Sequence, residues 1–267
     1  METTPSQLKY ILITLLIFIS GAAFAQVRFK KGDEFKREIL TKSNCVLQRG
    51  SQTLHVSSFS IVVKTYNVTN VYEKGASFII STDKLIDTIN AMDQNLVYNS
   101  GKPADPNSTI QVGLQKMANT QYAVSVNDSG KILGLRHTVA ISDTLLSFAG
   151  IQPEYLSPGS TLQFMADYPV NPALKKGYSW TDSTSSTETN YTIYAINSRT
   201  TTIVSKTSIL GDNLNSRINS SILIDNNTGV ILKRCSQSVS TGYEMVNGIV
   251  YTATRRTAIT EINVKVK

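Results

Sequence analysis

Two histidines and two cysteines are all the chain offers to the commonest acid–base, nucleophilic and metal chemistries. His55 lies in Leu54-His55-Val56 and His137 follows Arg136, and neither has the spacing of a zinc-binding helix. No Gly-x-Ser-x-Gly elbow and no glycine-rich phosphate loop occurs anywhere in the chain. A Ser or Thr activated by a Lys is still a workable nucleophile, but these residue types are too numerous for spacing to select one. The expectation is a non-enzymatic protein with no catalytic, cofactor or metal residue to name. Cys45 and Cys235 are an even pair, so an oxidising compartment permits a disulfide worth about 3 to 5 kcal/mol through the long loop it closes. The alternative is two unpaired thiols, because bridging needs Cα atoms within about 7 Å.

Charge and aromatic residues narrow the partners. Twenty-six Lys and Arg against nineteen Asp and Glu leave a net charge of +7, which favours anionic surfaces without choosing one. The basic pairs Lys30-Lys31, Lys36-Arg37, Lys175-Lys176 and Arg255-Arg256 are dispersed through turns and strands, as expected of solvated faces and protected strand edges. No basic block interleaved with aromatics appears, so nucleic acid is not an expected partner. Trp180, beside Tyr178, is suited either to anchoring a core or to stacking on a sugar.

The first 25 residues carry Lys9, the apolar run from Tyr10 to Ile19 and the small-residue ending Gly21-Ala22-Ala23-Phe24-Ala25. That is the layout of a secretory signal peptide cleaved before Gln26. A membrane anchor needs about 20 apolar residues. No cysteine stands at the cleavage site, which disfavours a lipoprotein anchor. A secreted or periplasmic protein, not integral to a membrane once the signal is removed, is expected.

The remaining chain reads as strands. Tyr122, Val124 and Val126 alternate with Gln121, Ser125 and Asn127, and Ile262, Val264 and Val266 with Glu261, Asn263 and Lys265. Such alternation predicts antiparallel sheet with one apolar and one wet face, the apolar member being the inward one. Turn signals at Arg49-Gly50, Lys74-Gly75, Asn127 to Gly130, Asp225 to Gly229 and Asn247-Gly248 separate the runs. The result is a mainly β chain of about ten to twelve strands, a curved antiparallel sheet or half-barrel with a few short helices. One helix is capped by Ser108 and carries Ile110, Leu114 and Met117; another is capped at Ser142 or Asp143 and ends at Gly150. Residues 83 to 92 fit helix and strand equally.

Two short motifs occur twice in the same order. FKKGDEF at 29 to 35 matches LKKGYSW at 174 to 180, and NDSGKIL at 127 to 133 matches NNTGVIL at 226 to 232. The shared positions are Lys31, Gly32 and Phe35 with Lys176, Gly177 and Trp180, then Gly130 with Gly229. They predict two related halves, 26–150 and 174–267, joined by a connection over 151–173, with an insertion near 83–119 in the first. Chance reuse of turn residues in a β-rich chain is the alternative.

The signal peptide, the Phe29 to Phe35 start, the Asn127 to Leu133 turn and Pro169-Val170 leading to Trp180 resemble a family of secreted bacterial β-rich proteins built on a domain of unknown function. The resemblance implies fold and compartment and brings no catalytic residue. In layout the chain is also distantly similar to the half-barrel of periplasmic lipoprotein carriers, a likeness of fold alone. The expected role is binding a lipid or other amphipathic ligand in the concavity of the sheet. A structural or adhesive envelope component contacting glycans or proteins is the alternative, with an exposed aromatic patch at Tyr178 and Trp180 as its sign. A hydrolase is the least expected.

Overall fold

A computed structural model describes residues 29–91, 94–136, 151, 156–167, 174–246 and 248–267. The signal segment, the second expected helix and His137 lie outside these residues. Six strands form the first half: β1 (Glu34–Arg49), β2 (Gln52–Tyr72), β3 (Gly75–Ala91), β4 (Gln94–Asn99), β5 (Tyr122–Asn127) and β6 (Ile132–Arg136). Helix α1 (Thr109–Ala118) is inserted between β4 and β5. The second half contains β7 (Ser179–Ser183), β8 (Thr187–Ile196), β9 (Thr200–Ile209), β10 (Leu214–Asp225), β11 (Ile231–Val246) and β12 (Ile249–Lys265).

All twelve strands belong to one curved antiparallel sheet that does not close, ordered β6-β5-β3-β2-β1-β12-β11-β10-β9-β8-β7, with β4 also paired to β3. The two halves therefore join through their first and last strands, β1 against β12, over fourteen register positions from Phe35↔Lys265 to Gln48↔Thr252. Phe35 also faces Tyr66 on β2. Because side chains alternate across a strand, this register puts the odd positions of β1 and β12 and the even positions of β2 and β11 on one face. That is the inner face.

Over the first half the inner face is apolar and covered. Phe35, Tyr66, Phe78, Ile80, Val124, Val126 and Ile132 form one cluster with Leu162, Phe164 and Met165 from the segment between the halves. Phe164 is fully buried, with ring centroids 4.6 Å from Tyr66 and 5.5 Å from Phe35. A second cluster packs Leu114 and Met117 of α1, with Ile151, on Val62, Leu85, Ile89 and Tyr98. The helix starts where Ser108 accepts a hydrogen bond from the Gln111 amide at 3.3 Å, and it holds Ile110, Leu114 and Met117 toward the sheet as their spacing predicts. Residues 83–91 are strand: β2 pairs them on one edge and β4 from Ile86 on the other, leaving no free backbone for a helix.

Strand β12 corrects the expected assignment of its faces. Glu261 and Asn263 are each 2% exposed and point inward, whereas Ile262 and Val264 are 44% and 51% exposed on the outer face. The polar members of the alternation went inside because arginines from β1 and β11 meet them there. The same alternation corrects the reading of Lys36-Arg37 as a solvated pair: Lys36 is outside, and Arg37 is 4% exposed within.

Candidate functional site

Apart from a buried row beneath α1, the inner face carries its polar groups at the seam between the halves and across the second half. At the seam, Glu261 stands between two guanidinium groups: Arg37 Nε is 3.1 Å from Oε1 and Arg234 Nη1 is 3.2 Å from Oε2. Arg37 further donates to the Tyr66 hydroxyl at 3.2 Å and to Gln163 Oε1 at 3.1 Å, while Asn263 Nδ2 donates to Glu261 Oε1 at 2.9 Å. Burial by itself raises the Glu261 carboxyl, but the two arginines and the Asn263 amide overcome it and hold the group below the usual carboxylate range. Burial likewise works against the charge of Arg37, and Tyr66 and Glu261 keep it fully protonated. Lys64, on the inner face of β2, is pulled down to about 7 by burial and by Arg37. Arg234 is the accessible member of the seam, with 28% of its side chain exposed.

From the seam toward β7 the inner face is floored by hydroxyl groups paired across strands. Ser43 and Thr257 lie 3.1 Å apart, Ser220 and Ser236 2.8 Å, Ser216 and Ser240 2.7 Å, and Thr189 and Thr207 3.0 Å. Each pair satisfies one partner of each hydroxyl and leaves lone pairs directed off the sheet. Most of these residues are half-buried, so their free side stays within reach of a solute. Apolar groups border the floor: Leu47, Leu54, Leu214 and Tyr251 toward the β1–β2 and β11–β12 turns, and Ile203, Ile222, Ile224 and Ile231 at the other end.

The residues singled out by the two motifs are structural. Gly32 (φ +89°) donates its amide to the Val68 carbonyl at 2.8 Å, and Val68 returns one to Asp33 at 2.9 Å. Gly177 (φ +87°) does the same with Ile193 at 2.8 Å, and Ile193 returns one to Tyr178 at 2.9 Å. Both positions need left-handed backbone, which explains the glycine. Lys31 and Lys176 are exposed, Phe35 is in the core, and Trp180 is half-buried with its ring stacked 4.9 Å from Tyr191. Tyr178 is half-buried as well, 5.9 Å from Trp180, so these two do not make an exposed aromatic patch. The Gly130 and Gly229 carbonyls each accept an amide of the central segment, from Leu162 and Ala166, both at 2.9 Å. One segment thus ties a hairpin of each half.

Cys45 and Cys235 are free thiols, the second of the two alternatives the sequence left open. Cys45 pairs with Arg255, which in turn faces Ser240, whereas Cys235 faces Thr260. Two strand spacings and five residues of rise separate the two cysteines, roughly 19 Å and far beyond bridging distance. Their side chains also point to opposite faces. His55 lies exposed on the outer face of β2. No group of three or more metal-ligating side chains occurs among the described residues. The residues that spacing did not single out are Arg234, Glu261, Lys64 and the hydroxyl rungs. Their one signal was the polar half of each alternation, read as facing solvent.

No family model matches the chain, and no curated protein does, so the resemblance to a bacterial family gains no support from them. Among solved structures, lipovitellin, in work on its lipid–protein interactions, superposes with a TM-score of 0.52 at 9% identity, over 89% of this chain and 25% of its own. The chain thus spans about a quarter of lipovitellin. The likeness is one of fold: a large open antiparallel sheet. An outer membrane channel of Pseudomonas putida F1 (5% identity, 90% of this chain and 98% of the channel) and OpdQ of Pseudomonas aeruginosa (6%, 90% and 100%) align with TM-scores of 0.23, too low to define a shared fold. No helix among the described residues is long and apolar enough to cross a membrane.

Proposed function

We propose that the mature chain is a secreted or periplasmic, non-enzymatic protein that holds an amphipathic ligand, a lipid or other acylated molecule, against the inner face of its open sheet. The observation that carries this reading is the arrangement of that face, where a hydroxyl floor lies between two apolar borders and beside the partly exposed guanidinium of Arg234. An acyl chain finds the half-buried apolar side chains Leu54 and Leu214, and its polar end finds the paired hydroxyls and Arg234. The lipovitellin likeness supports the reading at the level of fold. The duplicated motifs, with their matching hydrogen bonds at Gly32 and Gly177, support an origin of the sheet from two related halves.

Native mass spectrometry of residues 26–267, purified without detergent, tests the proposal. A stoichiometric lipid-sized adduct that appears again after denaturing release is the expected result. A clean unliganded mass across several preparations overturns it. That outcome would favour an envelope component contacting glycans or proteins, for which the exposed Tyr243 (58%), Met245 (71%) and Val250 (56%) of β11 and β12 are the supporting observation.

A further inference from the structure

Under α1, on the far side of the seam from the hydroxyl floor, the sheet buries a row of polar groups that the ligand face does not use. Asp87 on β3 is fully buried; directly across from it are Ser60 on β2, 1% exposed, and Tyr98 on β4, 2% exposed. No side chain hydrogen-bonds either carboxyl oxygen of Asp87, the Ser60 hydroxyl or the Tyr98 hydroxyl, and only the Thr88 backbone amide acts on the carboxyl. Side chains directly opposite on neighbouring strands have Cβ atoms about 5 Å apart, so Ser60 and Tyr98 flank Asp87 on either side of one row of the inner face.

The surroundings supply no counter-charge. Val62 on β2, Leu85 and Ile89 on β3, Leu96 on β4, Leu114 and Met117 on α1, and Ile151 enclose the row. Lys84 on β3 and Lys116 on α1 are exposed, and Lys64, buried on the same face of β2 four residues from Ser60, lies toward Arg37 at the seam. Burial pushes the Asp87 carboxyl up to about 7, offset in part by the Thr88 backbone amide, and no charged group contributes to the shift. A buried acceptor left unpaired costs more than an ordinary hydrogen bond returns. Three such side chains on one row are therefore a cost that a ligand would remove.

The chemistry of the row selects the ligand. A carboxylate repels an anionic head, and a neutral hydroxyl brings one donor and no charge. A primary ammonium brings one positive charge and three donors, which match the Asp87 carboxylate, the Ser60 hydroxyl and the Tyr98 hydroxyl. We propose that Asp87, Ser60 and Tyr98 form a headgroup site for a primary amine on an apolar chain, the chain lying along Val62, Leu85 and Ile89 beneath α1. This site deepens the amphipathic-ligand reading and rests on it. Entry requires α1 to lift, since Leu114 and Met117 cover the row.

Calorimetric titration of the full mature chain at pH 7.5 with decylamine, decanol and decanoate, each below its micellar concentration, tests the site. Decylamine is expected to bind at least tenfold more tightly than decanol, decanoate more weakly than either, and Asp87→Asn to bring decylamine down to the affinity of decanol. In the unmodified chain, carbon-13 NMR of the Asp87 carboxyl should show its titration moving to lower pH when decylamine is bound. Equal binding of decylamine and decanol, an amine preference that survives Asp87→Asn, or an unmoved carboxyl titration overturns the headgroup site and leaves the amphipathic reading standing. Failure of all three compounds to bind overturns both.

Discussion

Strands β5 and β12 were written in the same period-two pattern and were folded to opposite effect. On β5 the apolar members Val124 and Val126 turn inward, 2% and 1% exposed, onto Phe78 and Ile132. On β12 the apolar members Ile262 and Val264 turn out and the polar Glu261 and Asn263 turn in. The halves differ in the same sense: the first has an inner face filled by Phe164, Leu162 and α1, the second an inner face of paired hydroxyls. Alternation thus creates two faces on a strand, but its neighbours decide which is the inside. A glutamate goes in where two arginines lie across from it, and the pair of charges replaces the water each of them loses.

Four measurements sharpen or break this contrast. The largest expected effect is in the filled half: Phe164→Ala should cost about 4 to 5 kcal/mol in chemical denaturation, since it empties a fully buried site bordered by four aromatic rings. Next, Glu261→Gln should cost about 3 kcal/mol at pH 7, because it removes the buried carboxylate that Arg37 and Arg234 share. Its sign with pH follows from the depressed carboxyl: the stability it contributes is full above the ordinary carboxylate range and is lost as pH falls through the lower folded value. The acid limb of a stability–pH curve should therefore flatten in the variant, and an unchanged limb would place the group's contribution elsewhere.

Asp87→Asn is expected to act in the opposite direction. The folded value of about 7 lies above that of an unfolded carboxyl, so the native state holds a proton that the unfolded chain releases, and stability falls as pH rises from about 4 to about 7. Asparagine mimics the protonated form, so the variant should match the parent near pH 4 and exceed it by about 2 to 4 kcal/mol at pH 8 in denaturant titrations. The smallest effect belongs to the open half, where replacing Ser220 and Ser236 together by Ala should change stability by less than about 1 kcal/mol, because both partners of a half-exposed hydrogen bond leave at once. A cost several times larger would mean that the hydroxyl floor is core, as the first half is, and not a surface for a ligand.

Much of the architecture was legible along the chain. Val, Ile, Thr and Tyr at period two marked the strands, Arg49-Gly50, Lys74-Gly75 and Asp225 to Gly229 marked turns, and Ser108 marked the start of α1. Residues 83–91 were ambiguous because Leu85, Ile86 and Ile89 satisfy both a helical and a strand period; pairing on both edges settled them as β3. Arg37, Glu261 and Arg234 stayed hidden for another reason. They lie 27 to 224 residues apart in pairs, and nothing in the local pattern of any one of them announces the other two.

By itself the sequence determined what a local rule can determine: most of the secondary structure, the turns with left-handed glycines at 32 and 177, and two faces on every strand. Tertiary structure alone decided that β1 lies against β12, and with that the rest followed. The register at that seam turned Arg37 and Glu261 toward one another, set Cys45 and Cys235 on opposite faces, and aligned the hydroxyls of distant strands into rungs. The physical reason is that a strand carries its hydrogen-bonding edges and its alternation within itself, whereas the identity of its neighbour is a long-range choice, settled by which buried charges and side-chain shapes complete one another across the sheet.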